Sequence, residues 1–391
     1  MSLSAKRESL ARIHGRYSRA GRLHKQRILD EFCATCGYHR KSALRLLHRP
    51  IAPPTARARP GPKRTYDPLV LLPVLKVIWL ESDPLCSKLL RAALPAWLEH
   101  YERRHSLAAA VKEKLLAISP AQIGRLRRPA RVGQPRKGLG ATRPGTLLRH
   151  QVPTRGGPAD TSRPGAVAVD TVAHCDDTTA GDYVNSLTFT ELFSGWTENR
   201  AVWNKSSHAI LAQLKELEGT VPFAMTSFHS DNGTEFLNWP WHEYLTGRPL
   251  KVPWTRRRAY RKNDNAHCEQ KNWTHVRQLL GYARFGHPEL VPLLNELYGR
   301  EWSEYQNHFR PTFKLEKREK KGSKTVKTYE KKPQTPYQRL LASEAIPRAT
   351  KARLREEHER LDPFALKKSL EGKLKKFFTA LGHLDRESTK T

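Results

Sequence analysis

Acidic residues are scarce in this chain of 391 residues, which has 38 Asp and Glu against 70 Lys and Arg. The formal net charge is therefore +32. Such an excess argues against a cationic partner and predicts a polyanionic one. Composition alone leaves DNA binding and charge-driven binding of RNA or ribosomes equally open.

Cysteines and long apolar runs are also scarce. The five cysteines are odd in number and scattered, which argues against a disulfide scaffold and predicts free thiols in a reducing cytosol. The longest apolar stretch, residues 68–80, carries Lys76 and is too short to cross a bilayer. The opening MSLSAKRESL has charges where the apolar part of a secretion signal would begin. We therefore expect a cytoplasmic protein with no membrane partner.

The first region, residues 1–50, contains two helical patterns separated by Gly37. The apolar residues that recur at helical spacing are Ile28, Leu29 and Phe32, then Leu44, Leu46 and Leu47. This arrangement predicts a helix-turn-helix domain, although an ordinary helical hairpin gives the same pattern. The basic residues expected to face the major groove are Arg40, Lys41 and Arg45.

Residues 51–130 predict a second helical DNA-binding domain after a spacer rich in Pro and Arg. Its last helix is predicted to begin with Ser119 as N-cap and Pro120 as first helical residue. The predicted DNA contacts of this helix are Arg125, Arg127 and Arg128. Residues 131–163 alternate basic residues with Pro and Gly, which predicts a basic linker that neutralises phosphates.

Residues 164–310 have the pattern of an α/β domain with a mixed sheet and helices on both faces. The predicted strands are 165–172, 183–190, 196–203, 222–230 and 249–254. The predicted helices are 206–218, 234–246, 265–281 and 287–308.

Three acids in this domain have the local sequence that a two-metal phosphoryl-transfer site needs. Asp170 closes the apolar run AVAVD, Asp231 follows another strand, and Glu269 lies early in a helix. Carboxylates at adjacent strand ends and on a helix can converge on two Mg²⁺ ions, for which Mn²⁺ is expected to substitute. Taken singly, each acid has the alternative of being a solvated surface carboxylate.

The orientation of Glu269 is predicted from its helix. Glu269 shares a stripe with Trp273, Val276 and Leu280, so we expect it to face the sheet. The nearby Asp264 is expected to cap the helix instead of binding metal.

The strand ending in Asp170, the segment HSDNGTEF, and the Glu269 helix preceded by RRAYRKNDNAHCEQKN resemble the catalytic core of DDE transposases of bacterial insertion sequences. The resemblance covers about residues 160–310, and residues 311–341 resemble the segment after the core in some of these enzymes. It implies a ribonuclease-H-like core with a mixed five-stranded sheet, as in retroviral integrases. It also implies magnesium-dependent cleavage of element ends, strand transfer into target DNA, oligomerisation on double-stranded DNA, and a nucleoid-associated location.

Two departures from integrases are visible. Cys33, Cys36, His24 and His39 do not make up a complete zinc module, because the C-x-x-C overlaps the helix-turn-helix, so core cysteines are expected. Trp273 and Val276 stand where integrases place DNA-contacting lysines. Lys271 and Arg277 are kept as candidate DNA contacts, although they lie on other faces of the helix.

The stretch TRRRAYRKN, residues 255–263, predicts a basic loop at the mouth of the site; a solvated charge run is the alternative. Its predicted DNA contacts are Arg256, Arg257, Arg258, Arg261 and Lys262, with Tyr260 available for stacking.

The basic C-terminal region, residues 311–391, is predicted to form a hairpin around Lys317–Lys332 and then a helix. The helix has an apolar stripe, Leu366, Leu370, Leu374 and Phe377, which could dock on a partner subunit or on DNA. Three functions remain: an active transposase, a helix-turn-helix regulator or domesticated derivative without catalysis, and a nuclease that only hydrolyses. The three acids favour the first.

Overall fold

The computed structural model describes residues 1–50, 65–128, 161–256, 266–321 and 324–388. The chain divides into two compact units, residues 1–65 and residues 66–391. The described residues contain no helix long and apolar enough to cross a membrane.

The first unit is a small helical body. Its helices are α1 (Leu3–Arg19), α2 (Arg22–Cys36) and α3 (Arg40–His48). The sequence pattern predicted α2 and α3, which are confirmed, but not α1. Gly37 ends α2 in the left-handed region, with φ 66°.

The core of this unit contains Ile28, Leu29, Phe32 and the thiol of Cys36, as the sequence predicted for its cysteines. The prediction for α3 was partly wrong. Ala43 and Leu47, four residues apart, are its buried residues, whereas Leu44 is 39% exposed.

The second unit contains a five-stranded mixed sheet in the order β3-β2-β1-β4-β5. Its strands are β1 (Ala166–Ala173), β2 (Val184–Glu191), β3 (Thr197–Trp203), β4 (Ser227–Ser230) and β5 (Trp254–Arg256). β1, β2 and β3 are antiparallel, while β4 runs parallel to both β1 and β5. This is the predicted ribonuclease-H-like topology. β5 begins later than predicted because Pro253, which precedes it, has no N–H to donate to a ladder.

Alternation along β1 places different elements on the two faces of the sheet. Val167 and Val169 pack with helices α8 (Ser207–Thr220) and α9 (Trp239–Thr246). Ala166 and Ala168 pack with Cys268 of helix α10 (Ala266–Lys271) on the other face. α9 starts later than predicted, because the Asn238 side chain caps its first turn.

The helix of α10 continues irregularly. A π-helical segment, Asn272–Arg277, comes directly after it and leads into α11 (Gln278–Leu280). Farther along lie α12 (Leu290–Leu297), a second π-helical segment (Tyr298–Trp302) and α13 (Ser303–Phe309). Asn295 and Asn307 bond the backbone of β3 with their side-chain amides, which covers this edge strand.

The described helices between residues 66 and 128 belong to the same unit as the sheet. They are α4 (Pro68–Glu81), α5 (Ser87–Arg104), α6 (Ala109–Ala117) and α7 (Pro120–Arg127). Their apolar residues share one hydrophobic core with α12, α13 and the long C-terminal helix α16 (Pro363–Ser388). The predicted cap and first residue of α7, Ser119 and Pro120, are confirmed.

The C-terminal region is also part of this unit. The predicted hairpin is present as β6 (Leu315–Lys321) and β7 (Lys324–Tyr329), followed by α14 (Pro336–Ala342) and α15 (Arg348–Arg360). Leu366, Leu370 and Phe377 of α16 are buried in the core of their own chain. The apolar stripe is therefore covered internally, and neither a partner subunit nor DNA is needed to cover it.

Candidate active site

Asp170 lies on β1, and Asp231 directly follows β4, the neighbouring parallel strand. The register pairs Ala168 of β1 with His229 of β4, and each aspartate stands two residues farther along its chain. Both side chains are half-buried. The predicted approach of these two acids therefore follows from the topology of the sheet.

The buried thiol of Cys268 lies on the same helix as Glu269 and is close enough to both aspartates for their charges to act on it. Burial raises the pKa of Cys268 well above its ordinary value, and the charges of Asp170 and Asp231 raise it further. Cys268 is fully buried, against Ala166 and Ala168. The small side chains on this face of β1 allow α10 to approach the sheet closely, so the helix lies beside the two acids.

Asp170 is held by hydrogen bonds on both carboxylate oxygens. Oδ1 accepts from the backbone N–H of Thr171 at 2.9 Å, and Oδ2 accepts from Asn272 Nδ2 at 2.9 Å. Asn272 stands three residues after Glu269, which puts it on a neighbouring part of the same helical surface. Asn272 was not predicted from the sequence; its helical spacing from Glu269 was the available signal.

Asp231 is held by the turn after β4. Its Oδ1 accepts from the backbone N–H of Gly233 at 2.8 Å. A Cβ at Gly233 would overlap the carboxylate of Glu235, so a larger residue in this turn would require the Glu235 side chain to move.

Glu235 is a further acid beside the two aspartates, and it was not predicted from the sequence. It is 5% exposed and accepts from Thr171 Oγ1 at 2.9 Å, next to Asp170 in the chain. Lys205 Nζ lies 3.4 Å from its carboxylate and balances its charge. These contacts give Glu235 a role in holding the end of β1 and the turn after β4 together.

Glu269 lies in α10 but its side chain is exposed. The predicted stripe was wrong for Glu269 and for Trp273, which is 42% exposed, whereas Val276 and Leu280 are buried as predicted, together with Cys268 and His275. The π-helical segment after Lys271 has more residues per turn than an α-helix, which shifts the phase of the buried face. Within the described ranges, no three His, Cys, Asp or Glu side chains are grouped as a metal cluster.

Lys271 and Arg277, which were predicted as DNA contacts, are half-buried and donate to backbone carbonyls of the protein. Lys271 Nζ donates to the carbonyl of Gly195 at 3.0 Å, and Arg277 donates to the carbonyl of Ala173 at 2.7 Å. Burial, followed by the charges of Arg339 and Arg310, lowers the pKa of Lys271 to about 7.

Arg127 was also predicted to contact DNA, but its side chain is buried. It is 1% exposed, donates to the carbonyl of Leu85 at 3.0 Å and lies over the ring of Trp79. Its guanidinium therefore stabilises α7 against the neighbouring helices. Arg125 and Arg128 on the same helix end remain exposed.

The other predicted DNA contacts are distributed over both units. In the first unit Arg40 pairs with Asp30, while Lys41 and Arg45 are exposed. Arg256 is half-buried and donates to Asn232 Oδ1 at 3.2 Å. The remaining loop residues lie outside the described residues: Arg257, Arg258, Tyr260, Arg261 and Lys262.

The strand order defines the chain as a protein with a ribonuclease-H-like core. No family model matches the sequence. It is 37% identical over 340 residues to the uncharacterized protein y4rM of Sinorhizobium fredii, covering 84% of this chain and 93% of that protein. The chain belongs to the same protein family as y4rM.

Solved structures with partial similarity include retroviral integrases. The catalytic core of BIV integrase matches with 15% identity and a TM-score of 0.24, covering 30% of this chain and 70% of that one. The HTLV-2 integrase core in complex with magnesium matches with 13% identity and a TM-score of 0.29, covering 39% and 92%. A simian T-cell lymphotropic virus intasome bound to PP2A regulatory subunit B56 gamma matches with 12% identity and a TM-score of 0.29, covering 55% and 69%.

Proposed function

We propose that this protein is a DNA transposase that binds the ends of its mobile element, cleaves them and transfers them into target DNA. The observation that carries the proposal is the placement of Asp170 and Asp231 on adjacent parallel strands, beside the helix that contains Glu269. Three carboxylates from these elements, in a strongly basic chain, fit phosphoryl transfer on a polyanion better than binding alone.

The donor set fits a hard divalent cation. Asp170, Asp231 and Glu269 offer carboxylate oxygens, which Mg²⁺ and Mn²⁺ prefer over nitrogen or sulfur ligands. When bound, such ions would activate water for hydrolysis and neutralise charge on the phosphodiester.

The protein's own groups prepare the two aspartates. Asn272 and the Thr171 N–H fix the carboxylate plane of Asp170, while the Gly233 N–H fixes Asp231. Cys268 is fully buried close to both acids, and its raised pKa keeps the thiol neutral.

DNA would be held by exposed basic residues of both units. Lys41 and Arg45 of α3 are available to a major groove, as a helix-turn-helix function requires. Arg125 and Arg128 of the second unit are available to phosphates. Arg256 of β5 pairs in register with Ser230, the residue before Asp231, and is available beside the candidate active site. We further propose that the chain oligomerises on double-stranded DNA and works at the nucleoid.

The test is cleavage and joining of labelled end DNA in magnesium, using duplexes from the inverted repeats that flank the gene. Glu269→Gln keeps the shape of the side chain and removes its charge. We expect end binding to survive while cleavage and joining fall by several orders of magnitude.

The matched control is Glu243→Gln, which makes the same change at an exposed position of α9 and should leave activity unchanged. Near-normal joining by the Glu269→Gln protein would refute the catalytic assignment. Cleavage without joining by the unmodified protein would instead identify a nuclease. Binding without either reaction would identify a regulator or a non-catalytic derivative.

A further inference from the structure

The second unit has an open groove between α5, the start of α7 and the β6–β7 hairpin, with a volume of about 1250 Å³. None of the three candidate catalytic acids lines it. Its lysines come from both sides: Lys88 from α5, and Lys327, Lys331 and Lys332 from β7 and the segment after it. Arg91 of α5 also lines the groove and donates to the carbonyl of Leu116.

The charges of these lysines are not compensated within the described part of the chain. All four side chains are exposed, and none forms an ion pair with a described carboxylate. Glu330 also lines the groove, but its carboxylate already pairs with Arg339 and accepts from the Lys314 N–H. The groove is therefore suited to an anionic ligand.

An aromatic side chain distinguishes this groove from a simple anion site. Tyr329 lines it and is 47% exposed, and its ring stands edge-on to that of Phe313 with centroids 6.1 Å apart. A free phosphate makes no use of an exposed ring. A nucleic acid strand does, because a base or sugar packs on the aromatic face while lysines contact its phosphates.

Buried contacts connect the groove with the catalytic helix. Arg339, which is 5% exposed, binds Glu330 on the groove side and donates to the carbonyl of Ser194 at 2.8 Å. The next residue, Gly195, accepts from Lys271 of α10. The turn between β2 and β3 thus lies between the groove and the helix of Glu269, so one DNA molecule could contact both.

We infer that this groove is a second DNA-binding site, which holds the sugar-phosphate backbone of the DNA on which the candidate active site acts. The inference rests on the proposed function for the identity of its ligand. Lys88, Lys327, Lys331 and Lys332 contact phosphates, and Tyr329 packs against a nucleoside.

The experiment compares two triple variants of the full-length protein with the same change in charge. The groove variant is Lys327→Gln, Lys331→Gln, Lys332→Gln. The control variant is Lys368→Gln, Lys375→Gln, Lys376→Gln, at exposed positions of α16 that also lack a described ion pair. Affinity for an end duplex is measured from low to physiological salt, with thermal melting to verify that both variants are folded.

We expect the groove variant to lose at least about tenfold in affinity at 0.1 M salt, with a salt slope smaller by roughly 0.9 for each phosphate that the variant no longer neutralises. The control variant should retain both the affinity and the slope. Tyr329→Ala should weaken binding severalfold without changing the slope, whereas Tyr329→Phe should not weaken it.

Equal losses in the two triple variants would overturn the inference, since net charge would then explain the binding. Tighter binding of the unmodified protein to duplex RNA than to DNA, or no binding to DNA, would also overturn it. Failure of the proposed function is a separate result. If DNA binding depends on the groove but the protein neither cleaves nor joins DNA, the inference about the groove stands and the proposed transposase function fails.

Discussion

Replacing Trp97 by Ala tests whether the helices before the sheet fold as one unit with it. Trp97 lies on α5 and is fully buried. Its Nε1 donates to the carbonyl of Phe309, the last residue of α13, at 3.2 Å. Its ring meets that of Phe364 of α16 edge-on, with centroids 5.0 Å apart. One side chain therefore joins three segments that are distant in the sequence.

The expected cost is set by these interactions. Truncating a buried Trp to Ala costs roughly 3–5 kcal/mol through lost burial and the cavity left behind. The carbonyl of Phe309 also loses its donor, which adds about 1 kcal/mol or more in a buried position. A loss of about 4–6 kcal/mol is a large share of the roughly 5–15 kcal/mol that stabilises a typical domain.

The assay is urea unfolding of the full-length protein, followed by hydrogen exchange of the β1 and β2 amides. If the helices and the sheet fold as one unit, Trp97→Ala lowers protection of the sheet as well as of α5. The control is Trp239→Ala on α9, because Trp239 is 59% exposed and its loss should cost at most about 0.5 kcal/mol. Unchanged protection of the sheet in Trp97→Ala would refute the reasoning and indicate that the helices before the sheet form a separate domain.

Two further predictions concern acid stability and the support of Asp170. Burial lowers the pKa of His174 and of His308 to about 3, so below pH 6.5 the unfolded chain takes up protons that the folded chain refuses. The stability contributed by these two neutral histidines is fully present above pH 6.5. It falls as the pH decreases toward 3, by up to about 1.4 kcal/mol per pH unit for each group. Melting curves at pH 7, 6 and 5 measure this loss, and a melting temperature that does not change with pH contradicts the prediction. Asn272→Ala removes the donor to Asp170 Oδ2 and should lower magnesium-dependent joining by roughly 10–100-fold while end binding stays normal. If joining stays at the unmodified level in that variant, Asn272 does not position the aspartate.

Much of the sheet could be predicted because its signals are local. The expected strand at 165–172 became Ala166–Ala173, since apolar residues alternate or run together there and a Pro-Gly pair precedes them. Because β1 and β4 are adjacent and parallel, Asp170 and Asp231 then lie near each other at the same edge of the sheet. In contrast, the π-helical segment after Lys271 leaves no comparable signal, so the phase of the Glu269 helix was predicted wrongly.

Long-range packing was the other feature that could not be predicted from the sequence. The stripe of Leu366, Leu370 and Phe377 has the same pattern whether it is covered by a partner, by DNA or by its own chain, as the structure shows. Arg127 on a basic helix likewise gave no sign that its guanidinium would bond the carbonyl of Leu85. Both outcomes depend on residues far away in the sequence, which periodicity cannot identify.

The most direct test of the central proposal locates the metal on the protein. Fe²⁺ takes the place of Mg²⁺, and with ascorbate and peroxide it generates hydroxyl radicals that cut the backbone close to the bound ion. We expect cuts next to Asp170, Asp231 and Glu269, suppressed by excess Mg²⁺ and absent in Asp170→Asn. Cuts confined to other parts of the chain, or a pattern unaffected by Asp170→Asn, would contradict a metal centre at these acids.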